Sequence, residues 1–404
     1  MIRNEDSKIK HRQIGILSVG HLVTDINQGA LPALLPFFIV AYDLSYAAAA
    51  GIVFAANMTS SIVQPLFGHA ADRFSKPWLL SAGLLAAGMG LALSGIFKSY
   101  HWIMFLAIVS GIGIAAYHPE AARLVNFAAG SKKGTAMSFF GVGGTIGFAI
   151  GPLLVTAALI QWGLKGTLVL IVPVSIMALI MASQFSTFES LEEGRNRDRS
   201  APDTDDSKDN WGAFSRLTFT IIGRSIIFYG LNTFIPIYWI NGLNQSKAAG
   251  GMALSIFAGS GILGNLLGGS LADRLGQKNV MLLGYLGLTI FLPILIFVEN
   301  VQLATLLLIP IGLMLYGTYS PSIILGQNYL PNRVGLSSGI TLGVAVAIGG
   351  GAAPIIGKIA DLYGIWFSLA SIAFLPILFC ATVLSLPNPQ KAPVKIFYEK
   401  NNSS

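Results

Sequence analysis

The sequence predicts an all-α membrane protein of twelve transmembrane helices, arranged as two pseudo-symmetric six-helix bundles. Three observations predict it. Of its 404 residues, 53% are hydrophobic and only 11% charged, whereas a soluble domain carries roughly 25% charged residues. The apolar residues form long runs, and about 20 of them in a helix cross a ~30 Å hydrocarbon core. The two halves of the chain also repeat each other's landmarks at a nearly constant offset.

Apolar segments fall at 14–40, 47–71, 78–97, 101–127, 135–161, 166–187, 213–240, 247–271, 279–298, 301–329, 335–358 and 365–387. The first is too long for a signal-peptide core and holds Asp25, so it reads as a retained helix. The 46 glycines and 18 prolines suit membrane helices, where small residues permit close packing and neighbouring groups satisfy the carbonyls that proline frees. From Glu189 to Asp209 the chain is densely charged and reads as a polar linker. The expected organisation is a bundle over 1–187, a linker over 188–212 and a second bundle over 213–404. The lone Cys380 forms no intrachain disulfide.

The net charge of +7 is a matter of topology. Arg3, Arg12, Arg73, Lys132, Arg195 and Arg333 fall in one set of loops and tails. Lys98, Lys165, Lys247 and Lys358 are the few on the other side. Because lysine and arginine gather in cytoplasmic loops, both termini and the linker are expected inside, in the inner (cytoplasmic) membrane of the cell. No basic block stands free of the spans, so nucleic acid is not an expected partner.

Gly68, Asp72 and Arg73 recur as Gly269, Asp273 and Arg274, an offset of 201. His118-Pro119 recurs as Ser320-Pro321, and the run ending at Gly151-Pro152 recurs as the run ending at Ala353-Pro354. A parallel repeat about an axis along the membrane normal is a transporter architecture, with the substrate site between the halves.

These residues resemble the major facilitator superfamily. The loop after the second span and its echo, which continues through Gly276 to Lys278, resemble the loop motif of that family, and Gly143-Gly144 through Gly147 to Gly151-Pro152 resembles the glycine–proline motif of its antiporters. Four further stretches resemble its fosmidomycin-resistance branch of drug antiporters. They are His21 through Asp25 to Gln28, Gln64-Pro65 leading to Pro77-Trp78, Tyr117-His118-Pro119-Glu120 with Arg123, and Leu330-Pro331 through Arg333 to Gly335. The resemblance implies the major facilitator fold, a cavity lined by spans 1, 4, 7 and 10, and proton-coupled export of a drug, possible substrates including anionic, fosmidomycin-like compounds.

A charge inside a span is a functional candidate by default. The deep acids are Asp25 and Glu120, and the deep bases are Arg123 and Arg224. His21, Asp25 and Gln28 are spaced i, i+4, i+7 and share one helix face. A carboxyl in a low-dielectric cavity can load and release a proton near neutral pH. Asp25 and Glu120 are therefore the expected proton carriers, with His21 and His118 as relays. Arg224, Arg123, Gln28, Tyr229 and Tyr316 are the expected substrate contacts. A structural role competes at each position: Glu120 and Arg123, at i, i+3, can simply pair, and His118 can satisfy backbone freed by Pro119. Arg224 has no acid near it in sequence and calls for an acid from the other half or an anionic ligand.

Asp72, Arg73, Asp273 and Arg274 lie at the cytoplasmic ends of spans 2 and 8, where a carboxylate can bond the positive N-terminus of a neighbouring helix. The resemblance implies that they latch the outward-facing state. Gly143, Gly147 and Gly151, with Ala345, Gly349 and Ala353, are expected to form the seam on which the halves rock. No Cys/His cluster, catalytic set or phosphate-binding loop is visible, so no metal, no cofactor and no enzymatic activity are expected. The expected partners are a small-molecule substrate, protons and the bilayer, and the expected state is a monomer. The alternatives are a proton symporter importing a sugar or carboxylate and a non-transporting membrane sensor, although no appended soluble domain is present to serve the latter.

Overall fold

The computed structural model describes residues 10–73, 77–129, 133–193, 209–333, 336–337 and 340–388. Among them the chain is helical throughout, with no strand. The first half contains α1 (His11–Tyr42), α2 (Tyr46–Arg73), α3 (Trp78–Leu93), α4 (Tyr100–Ala128), α5 (Lys133–Trp162) and α6 (Ile171–Ala182), the last entered through a 3-10 segment (Gly163–Leu170), followed by a short α7 (Phe185–Glu193). The second half contains α8 (Trp211–Asn241), α9 (Lys247–Leu275), α10 (Gln277–Phe297), α11 (Val301–Gly317), α12 (Tyr319–Tyr329), α13 (Ala345–Gly350), α14 (Ala352–Tyr363), α15 (Ile365–Ala373) and α16 (Leu375–Leu384).

Nine helical stretches among the described residues are long and apolar enough to cross a membrane. The other expected crossings are not counted separately because α3 is short, α5 runs into α6, and 340–363 is interrupted by a π turn and at Gly351. Span 10 is also broken, at Thr318, just before Ser320-Pro321. Its sequence counterpart, α4, runs through Pro119 unbroken. In the second half, three helix starts are capped by side chains. Asn210, Ser246 and Asn300 each accept a hydrogen bond from a backbone N–H in the first turn of α8, α9 and α11, groups that the helix itself leaves without a partner.

Two expectations need correction. The start of the expected linker is helical: α7 runs to Glu193, because Phe188 and Leu191, one turn apart, find buried cover beneath the first bundle. The glycine stripe also lies inside a half. A Cβ at Gly143, Gly147 or Gly151 would strike the carbonyl oxygens of Ser18, Leu22 and Ile26, so α5 is pressed against α1 of its own bundle. Gly349 likewise meets Ser225 and the Ile222 carbonyl of α8. These four glycines predicted close helix contact correctly, but their partner is the neighbour within the half; α5 and α14 meet the other half with different residues, on α9 and α2.

The hydrogen bonds between the halves lie at the face opposite the termini. Asp361, at the end of α14, accepts hydrogen bonds from the N–H groups of Tyr46 (2.7 Å) and Ala47 (3.0 Å) at the start of α2. Ser45 Oγ takes the next one, from Ala48. Gly357 brings α14 against the Tyr46–Ala47 backbone, and Asn241 donates to the Tyr46 hydroxyl at 3.0 Å. These are the hydrogen bonds that join the two halves among the described residues, and all lie at this face. Asp361→Ala is therefore expected to raise the fraction of molecules open at this face by about fivefold, the scale of one helix cap. Labelling of a cysteine placed in the central cavity of a Cys380→Ser background, by a membrane-impermeant thiol reagent added from this side, measures it. Unchanged labelling would show that the contact carries no weight in the equilibrium.

Candidate functional site

α1 places His21 and Asp25 one turn apart on the face turned toward α4 and α5. α4 is fixed against α1 by Tyr117, whose buried hydroxyl donates to the Leu17 carbonyl at 2.8 Å. The next residue, His118, thereby reaches Asp25. Its Nε2 lies 2.9 Å from Asp25 Oδ1, while His21 Nε2 lies 3.3 Å from Asp25 Oδ2. The two imidazoles meet edge to face at 4.8 Å, and His21 stacks on Phe140 of α5 at 4.0 Å. Asp25 itself is buried.

The hydrogen bonding of this cluster constrains its protons. His21 Nδ1 lies 2.7 Å from the Phe140 carbonyl oxygen, and a carbonyl only accepts, so Nδ1 carries a hydrogen. In neutral His21 the other nitrogen, Nε2, is then a lone pair facing the carboxylate. That contact becomes a hydrogen bond only when a further proton sits on either partner. His118 can donate its own Nε2 hydrogen to the other oxygen without one. The cluster is thus stereochemically complete with one proton loaded and incomplete without it. Gly144 of α5 is flush against it: a Cβ there would strike the His21 ring and the Asp25 carboxylate.

The same three side chains offer ligand atoms within 4.8 Å of one another. Two direct N···O contacts, at 2.9 and 3.3 Å, already join them, and a proton shared along either needs no ion.

The other deep acid is differently placed. Glu120 is fully buried and held bidentately by Arg123, with Nη2 to Oε1 at 2.8 Å and Nε to Oε2 at 3.1 Å. This is the i, i+3 pairing that the spacing allowed, and Arg123 also covers the Phe127 ring. The pair is separate from the Asp25 cluster in the ion pairs of the described residues.

Arg224 of α8 is buried and has no carboxylate partner among the described residues. Its Nε donates to the Leu315 carbonyl (3.1 Å) and Thr318 Oγ1 (3.2 Å) at the break in span 10. Its guanidinium lies over the Tyr319 ring at 4.9 Å. Both terminal nitrogens are left without a hydrogen bond to the described residues. Arg224 borders a cavity of about 220 Å³ between the halves. Gln28, His118, Tyr229 and Tyr316 line this cavity, so four of the expected residues converge with Arg224. His118 is the member of the proton cluster that reaches its wall.

The latch residues are elsewhere. Asp273 and Arg274 are exposed at the end of α9 and make no hydrogen bond or ion pair with the described residues. Asp72 and Arg73 close α2, but their side chains lie outside the described residues. Sequence reasoning did not find Asp361, Phe140 as a carbonyl acceptor, or Asn57, Ser60, Ser61 and Asn265 on the cavity wall. The last four carried a legible signal, since polar residues on one face of a membrane helix must turn from lipid.

Residues 17–340 match the model of the Major Facilitator Superfamily. The chain belongs to that superfamily. It is 28% identical over 384 residues to the fosmidomycin resistance protein of Escherichia coli (strain K12), covering 94% of this chain and 93% of that one. It is 30% identical over 381 residues to an uncharacterized MFS-type transporter, YfnC, of Bacillus subtilis (strain 168), with 93% of each covered. Among solved structures it resembles a bacterial homolog of the human lysosomal transporter Spinster in an inward-facing, occupied conformation, with a TM-score of 0.78, 14% identity, and coverage of 94% of this chain and 97% of that one. The superfamily membership establishes a multi-pass membrane transporter, not an enzyme, that takes a small-molecule substrate.

Proposed function

We propose that this transporter is a proton-coupled antiporter that exports a small organic anion, fosmidomycin-like in its charge, by alternating access. The observation that carries the reading is the pairing of two sites through one cavity. A cluster that needs a proton to complete its hydrogen bonds touches the wall through His118, and an arginine with no carboxylate partner among the described residues borders the same cavity from the other half. Asp25, with His21 and His118, holds the proton. Arg224 binds the anionic group, aided by Gln28, Tyr229 and Tyr316. Glu120 and Arg123 serve as a buried pair that steadies α4.

The charge asymmetry of the loops supports termini on the cytoplasmic side of the inner membrane. The closed contacts at the opposite face then correspond to an inward-facing state. In that state Asp273 is expected to be disengaged, as it is among the described residues. Each bundle contributes one site to a cavity within a single chain, which supports a monomer as the working unit.

Direction is tested by resistance. Expression in a sensitive bacterium is expected to raise its tolerance to fosmidomycin at least severalfold, read as the minimal inhibitory concentration against a vector control. Unchanged or lowered tolerance across a panel of small anions would instead favour a proton symporter that imports a carboxylate or sugar.

A further inference from the structure

The cavity has a second wall that belongs to neither site. Asn57, Ser60, Ser61 and Gln64 all border it, and their spacing in α2 is i, i+3, i+4, i+7. They form one stripe about 10 Å long at ~1.5 Å per residue. The opposite side of the same helix carries Ile62 and Leu66, which are 54% and 67% exposed and face outward.

Serines in membrane helices commonly return their hydroxyl to a carbonyl of the preceding turn. Here Ser18, Ser94, Ser260 and Ser270 do so. Ser60, Ser61 and Gln64 do not: they make no hydrogen bond to any described residue. Asn57 is committed, donating to Val53 O and accepting from Gln28 Nε2 at 3.3 Å. Across the cavity Ser225 Oγ and the Asn265 amide oxygen are buried and also take no partner among the described residues. These uncommitted groups are therefore free to hydrogen-bond whatever enters the cavity, water or ligand, and a ligand that displaces the water without replacing its bonds loses affinity.

We infer that this α2 wall is the specificity surface of the transporter, and that it selects a compact, hydrophilic anion bearing hydroxyl or amide-like groups away from its charge. The inference rests on the proposed anion contact at Arg224. It adds that Ser60, Ser61 and Gln64 read the uncharged end of the ligand. A cavity of about 220 Å³ is small for a ligand pocket, which fits a short polar molecule. A lipophilic molecule would leave the wall unsatisfied and lose affinity for that reason.

The test is binding to the detergent-solubilised full-length protein, which needs neither a proton gradient nor a direction of transport. Two probes are titrated by thermal stabilisation: fosmidomycin as the hydrophilic anion and hexanoate as an anion without a polar tail. Wild type is expected to favour fosmidomycin. The Ser60→Ala/Ser61→Ala double variant and, separately, Gln64→Leu are expected to weaken fosmidomycin binding about tenfold, the weight of one or two lost hydrogen bonds. Hexanoate affinity should change less than twofold, which also reports that the variants are folded. Equal losses for both probes, no loss for either, or a wild-type preference for hexanoate would overturn the inference. If binding behaves as expected while proton-driven transport is absent from vesicles, the export reading fails and the wall stands.

Discussion

Asp25→Asn is expected to reduce proton-driven transport to the level of vesicles lacking the protein, while expression, folding and substrate binding persist. The substitution is well matched to the cluster. The asparagine oxygen can still accept from His118 Nε2, and its NH₂ group can donate to the His21 Nε2 lone pair that faces Asp25 Oδ2. The variant therefore reproduces the loaded hydrogen-bond pattern with a side chain that does not titrate. The check is reconstitution into vesicles with an imposed pH gradient, beside an exchange assay with equal substrate on both sides and no gradient. Loss of the first with retention of the second is the expected result. Wild-type rates in the gradient assay would remove Asp25 from coupling and turn attention to Glu120.

Arg224→Gln should separate function from stability. Charge-assisted hydrogen bonds to the guanidinium are worth about 1.5–3 kcal/mol, so affinity for an anionic substrate should fall roughly 10- to 100-fold. The unliganded protein should unfold at the same or a higher temperature, because a buried cation with no carboxylate among the described residues is an energetic burden that glutamine lacks. Arg224→Lys is not a safe control. Lysine cannot at once bond the Leu315 carbonyl and Thr318 and present two further nitrogens to the cavity. A titration of binding together with a thermal unfolding curve decides the matter. A large loss of stability in Arg224→Gln would mean that the arginine chiefly holds the break in span 10.

Much of the architecture was legible in the sequence because lipid imposes simple rules. Length and hydropathy located the spans, and the offset of 201 revealed the repeat. Asp25 and Arg224 stood out because charge inside a span is rare, and the i, i+4, i+7 spacing put His21, Asp25 and Gln28 on one face. What the spacing could not supply was the partner across space. Gly143, Gly147 and Gly151 announce close helix contact, yet α1 and a helix of the other half satisfy the pattern equally well. Asp361 looks like any acid at a helix end, and its partners are 314 and 315 residues away. The start of the linker reads as polar because its charges outnumber Phe188 and Leu191, the two residues that anchor it. The neutral stripe on α2 was overlooked because serine and asparagine do not register in a search for charge.

Gly144 gives the proton site a closed back. With no side chain there, the α5 backbone lies directly against His21 and Asp25 on that side. Under the proposed mechanism a proton arrives past His118, through the same mouth as the organic cargo. Such a carrier has one doorway for both passengers. It needs no private proton channel and no second gate, because whichever bath the cavity faces sets the acidity that Asp25 meets.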